Sequence, residues 1–143
     1  MKTQVLGIAV FVTALLAVSP AVAQGKPGDV LVNVPFAFVA GSQQMPAGSY
    51  IVTPANGGFI RMYATQGSKS VYLGVHSVES LKLQEAKLIF HRYGAAYFLA
   101  QVWAGNGAIG RELPRSKAEK EIASGKLSGA RSEGELAVVR PER

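Results

Sequence analysis

From residue 30 to residue 38 an apolar side chain returns at every second position: Val30, Val32, Val34, Phe36 and Phe38. A period of two places all five on one face of an extended strand, whereas a helix would spread them around its axis. The same period recurs between short turn signals until Trp103, which confines the middle of the chain to antiparallel β structure. Eleven aromatic residues lie between Phe36 and Trp103 and none follows, while residues 104–143 carry 14 of the 22 charged side chains from Asp29 onward. The expected body is therefore a β domain over residues 30–113. It is preceded by a short linker at 24–29 and followed by a helix within 114–123 and a polar, flexible tail at 124–143.

The first residues read as a targeting segment. Lys2 supplies a positive start, residues 5–18 are uncharged with Thr13 as their one polar side chain, and Pro20 breaks a helix. Ala21-Val22-Ala23 then fits a small-x-small cleavage pattern, so a secretory signal peptide over residues 1–23, cut between Ala23 and Gln24, is expected. An apolar run of 14 residues is too short to span a bilayer, for which about 20 are needed. The expected product is exported, periplasmic or secreted, with no membrane span once the signal is removed.

Within the body, residues 30–39 form the first strand. Pro35 has no N–H to donate to a ladder, which predicts an edge position or a bulge. Met45-Pro46-Ala47-Gly48 suits a type I turn, and Asn56-Gly57-Gly58 is a hairpin signal because those residues accept positive φ at low cost. Strands are expected at 50–54, 59–64 and 70–77. Residues 78–85 follow neither period and read as a connecting loop or one helical turn. The pair 87–93 and 97–103 is expected to be joined by a three-residue loop, Gly94-Ala95-Ala96. That register collects Leu88, Phe90, Phe98, Ala100 and Val102 on one side, and a buried face is what fixes register. Ser116-x-x-Glu119 forms a capping box for a helix over Lys117–Ala123, and Leu136 to Val139 could add an edge strand. The fold class is all-β, a small sandwich or partly closed barrel with one short C-terminal helix.

Composition removes several chemistries. The chain has no cysteine, so disulfides, cysteine-ligated metals and thiol nucleophiles are excluded. His76 and His91 have no partner at a metal-ligand spacing, and neither a metal nor a cofactor is expected. G-x-S-x-G is absent, and Glu79, Glu85 and Glu112 are not placed as a catalytic carboxylate pair. Residues 105–110 (GNGAIG) match G-x-G-x-x-G, but Pro114 denies the helix that a dinucleotide site needs, so the segment reads as a flexible glycine loop. The net charge of +6 suggests polyanion binding, yet basic and acidic residues are interleaved, and no nucleic-acid partner is expected.

The three-residue loop would set His91, Tyr93, Tyr97, Gln101 and Trp103 on one face of the hairpin. Aromatic rings with polar tips can stack on sugars or line a ligand groove, and they can equally pack beneath a second sheet or the C-terminal helix. These five residues are the candidate binding site.

The segments VNVPFAFVAG (32–41), MPAGSYIV (45–52), KLIFHRYG (87–94), YFLAQVW (97–103) and GRELPRSKAEKE (110–121) together resemble an uncharacterised family of small exported bacterial β-proteins. The resemblance implies an exported β domain with a short helix and carries no activity or ligand. The functional expectation is a non-enzymatic envelope or secreted binding or structural module, with an unknown envelope component or small ligand as partner. The alternatives are a carrier of a small apolar or sugar-like ligand and a hydrolase of envelope polymers.

Overall fold

In the computed structural model, residues 28–125 and 134–141 are described, and the expected signal peptide with its Ala23–Gln24 cleavage site lies outside them. Among the described residues eleven strands form two stacked sheets, accompanied by one helix. The first sheet has the order β1 (Val30–Val34), β4 (Gly48–Ala55), β5 (Phe59–Ala64), β6 (Ser70–Gly74), with every pair antiparallel. The second runs β11 (Glu135–Val139), β8 (Lys87–Tyr93), β9 (Ala96–Trp103), β10 (Gly107–Glu112), β7 (His76–Gln84). A short hairpin of β2 (Phe38–Ala40) and β3 (Gln43–Met45) joins the second sheet through a parallel bridge from Val39 to Phe98. Neither sheet closes on itself, so of the two expected architectures the sandwich is the one adopted.

The alternation of the first segment survives, but not as one strand. β1 ends at Val34, at the edge of the first sheet, and Pro35 begins a crossing to the second sheet, where β2 starts at Phe38. Val30, Val32, Val34 and Phe38 are all buried in the shared core. They meet Tyr50, Val52, Ile60, Met62 and Leu73 from the first sheet and Leu88, Phe90, Leu99 and Val102 from the second. Phe38 stands at the centre, edge-on to Tyr50 at 5.4 Å and to Phe90 at 5.2 Å, bridging the layers. The Asn56-Gly57-Gly58 turn forms as expected, with φ of 74° and 78° at the two glycines.

Three expectations need correction. Residues 78–84, expected as a loop or one helical turn, belong to strand β7 (His76–Gln84), and the strand expected over 70–77 divides into β6, in the first sheet, and the start of β7, in the second. β7 pairs with β10 at the sheet edge, and most of its side chains are exposed, including Leu81 and Leu83. A strand with neither face buried has no period for the sequence to display. The glycine segment 105–110 is not wholly a loop: Gly107–Glu112 is β10, and Gly110 lies against the Trp103 indole, where an added Cβ would come within 2.7 Å.

The third correction concerns the β8–β9 hairpin. Tyr93 pairs with Ala96, leaving a two-residue turn at Gly94-Ala95 instead of three residues. The register then shifts between Phe90–Leu99 and Ile89–Gln101, leaving Ala100 as the extra residue of a β-bulge. The bulge restores the apolar face: Leu88, Phe90, Leu99 and Val102 point inward, while Gln101 is turned outward. Its carbonyl is accounted for, since the Leu113 N–H donates to the Ala100 oxygen at 2.8 Å.

Candidate functional site

The two-residue turn rearranges the five candidate residues. Cross-strand partners share a face, so His91 sits beside Phe98 and Arg92 beside Tyr97. Tyr97 therefore leaves the face that holds His91, Tyr93, Gln101 and Trp103, and Phe98 takes its place. The Tyr97 ring stacks on Phe36 at 3.8 Å with an interplanar angle of 15°.

His91 and Tyr93 converge on the helix α1 (Lys117–Ala123). Ser116 caps it, its hydroxyl accepting from the Glu119 N–H at 3.2 Å. In the reciprocal half of a capping box the glutamate would reach back to the cap. Here one Glu119 carboxylate oxygen instead contacts His91 Nδ1 at 2.5 Å and accepts from the Tyr93 hydroxyl at 3.0 Å. Arg115 Nε approaches the same oxygen at 3.9 Å. Glu119 is only 3% exposed, the one buried charged residue among those described. A buried carboxylate needs such partners, because its desolvation is otherwise several kcal/mol unfavourable. Burial and the bond to Glu119 both hold the Tyr93 hydroxyl above its usual pKa. Glu119 is therefore a latch that fixes α1 across the outer side of the second sheet. The sequence signalled Glu119 as a cap; its tertiary role depends on a contact 28 residues away in the chain.

Gln101 and Trp103 form the other half of the expected site. The Trp103 indole N–H donates to Gln101 Oε1 at 3.1 Å, and the ring lies across Gly110 with Lys87 on its other flank, Nζ 5.9 Å from the ring centroid. Tyr93 and Trp103 are 7% and 5% exposed, which makes them packing residues.

Beside this latch the structure opens a groove of about 670 Å³. The β2 strand and the start of β9 form its floor with Val39, Ala96 and Phe98; Ala118 and Ile122 of α1 form one wall. Tyr97 is the candidate residue that reaches it. Small side chains at Ala37, Ala95, Ala96 and Ala118 leave the space, while Lys117 and Glu121 carry charge to its rim. Neither His91 nor Glu119 lines it. Among the described residues no three His, Cys, Asp or Glu groups gather in a metal-binding arrangement, and no helix is long and apolar enough to cross a membrane.

Compared with protein-family models, with curated proteins and with solved structures, the chain matches none.

Proposed function

We propose that the protein is an exported, non-enzymatic binding module, a member of a family of small exported β-proteins, that carries one apolar ligand with a polar end. The observation that supports this reading is the groove between α1 and the β2–β9 floor. Its volume of about 670 Å³ lies in the range of small-molecule sites, and its lining is mainly apolar with few charged groups at the rim. An acyl chain fits that chemistry: the chain against Val39, Phe98 and Ile122, and an anionic end near Lys117. The hydrolase reading has less support, because the acid and imidazole that come together do so in the latch, outside the groove.

The test is titration with a dansyl-labelled undecanoic acid. Saturable fluorescence enhancement is expected, weakened at least about tenfold by Ala118→Trp, which fills the groove from an exposed helix position. No saturable binding, or equal binding by the variant at an unchanged thermal midpoint, would refute the carrier reading.

A further inference from the structure

The outer face of the first sheet is a second surface, separate from the groove. Because Tyr50, Val52, Ile60, Met62 and Leu73 point inward, the alternate residues of the same strands point out. Strand register places them in rows: Ile51–Tyr63–Ser70, Thr53–Arg61–Tyr72 and Ala55–Phe59–Gly74. Arg61 stands in the middle, its guanidinium 4.8 Å from the Tyr63 ring centroid and 5.8 Å from that of Tyr72. Its Nε donates to Ser70 Oγ at 3.2 Å, which aims the side chain along the sheet. Tyr72 is 64% and Phe59 47% exposed, and no described element covers them.

Within the strands of this sheet the charge is one-sided: Arg61 is the only charged residue in β1, β4, β5 and β6, and the flanking acidic residues are Asp29, just before β1, and Glu79 of β7 in the second sheet. Among the described residues Arg61 takes part in no ion pair, so the outer ends of its guanidinium remain available as a fork for a carboxylate. A flat face that offers ring surfaces around one unpaired guanidinium is matched by sugar rings bearing sparse carboxylates. Single-stranded nucleic acid matches it less well, because each nucleotide brings a phosphate and its binders line a groove with many cations.

We infer that the Phe59–Arg61–Tyr63–Tyr72 face binds an acidic polysaccharide, with Arg61 engaging its carboxylates and the rings stacking on its sugars. The test is affinity electrophoresis of the purified protein through gels containing polygalacturonate, dextran or a single-stranded oligothymidylate. Retardation by polygalacturonate is expected, decreasing as salt is raised. It should fall at least about tenfold in Arg61→Gln and in Tyr72→Ser, and stay unchanged in Arg92→Gln, whose exposed guanidinium lies over Tyr97 on the other sheet. Circular dichroism of each variant confirms that the fold is kept. Absence of retardation by polygalacturonate, retention equal in Arg61→Gln, or dextran binding as tight as polygalacturonate would overturn the inference. Stronger retention by the oligonucleotide than by polygalacturonate would overturn it in favour of a nucleic-acid surface.

Discussion

The two sheets present similar chemistry on their outer sides and meet opposite fates. On the second sheet, His91, Tyr93, Phe98, Gln101 and Trp103 combine rings with polar tips; on the first, Phe59, Arg61, Tyr63 and Tyr72 do the same. The difference lies in what the rest of the chain brings to each. α1 carries Glu119 onto His91 and Tyr93, Gly134 lies close against the Tyr93 ring, and Gly110 leaves room for Trp103. Nothing among the described residues does the same for Tyr72 or Phe59. An aromatic, polar-tipped strand face is thus neither a binding site nor a core by composition. A buried hydrogen-bond partner decides between them.

Removing that partner should have the largest effect. Glu119→Ala leaves His91 and Tyr93 without their shared acceptor and frees α1, and each partner left unsatisfied costs about 1–3 kcal/mol. Urea unfolding followed by circular dichroism checks it; a loss under about 1 kcal/mol would mean that α1 is held by something else.

A matched pair of glycine substitutions sharpens the contrast. Gly110→Ala drives a methyl group into the Trp103 ring, with an expected cost of about 1–3 kcal/mol. On the first sheet, Gly74→Ala meets only Phe59, at an ordinary 3.8 Å, and should stay within about 0.5 kcal/mol of the parent. Equal losses at the two sites, read from thermal or urea midpoints, would erase the distinction between a covered and an open face.

A smaller loss than that of Gly110→Ala is expected of Tyr93→Phe, about 1 kcal/mol for one buried hydrogen bond. Its pH dependence has a defined sign. The Tyr93 pKa is raised on folding from about 10, so the protonated phenol is favoured in the native state. That contribution is present below pH 10 and is lost as pH rises through the folded value. The stability gap between parent and variant should therefore narrow in alkaline solution. A gap that widens there would contradict the assignment.

The same contrast explains what the sequence could show. Strands with one buried face, such as β1, β5 and β8, display their period, and the Ser116 cap and the Asn56-Gly57-Gly58 turn are local chemistry that any chain would show. β7 was illegible because neither of its faces is buried. A uniform hairpin gives the wrong β8–β9 register, because local pattern does not announce a bulge. With the Ala100 bulge, a two-residue turn and an apolar inner face coexist, and Tyr97 changes sides. The latch was out of reach because Glu119 has a sufficient local reason to be at the third helix position; its contact with His91 arises only when the helix docks.

Tyrosine accessibility tests the central claim most directly. Brief nitration with tetranitromethane, followed by peptide mass spectrometry, should modify Tyr72 first while Tyr93 and the more deeply buried Tyr50 remain protected, because they are 64%, 7% and 1% exposed. Nitration of Tyr93 as rapidly as Tyr72 in the folded protein would show that the face beneath α1 is open, and would contradict the account of the Glu119 latch.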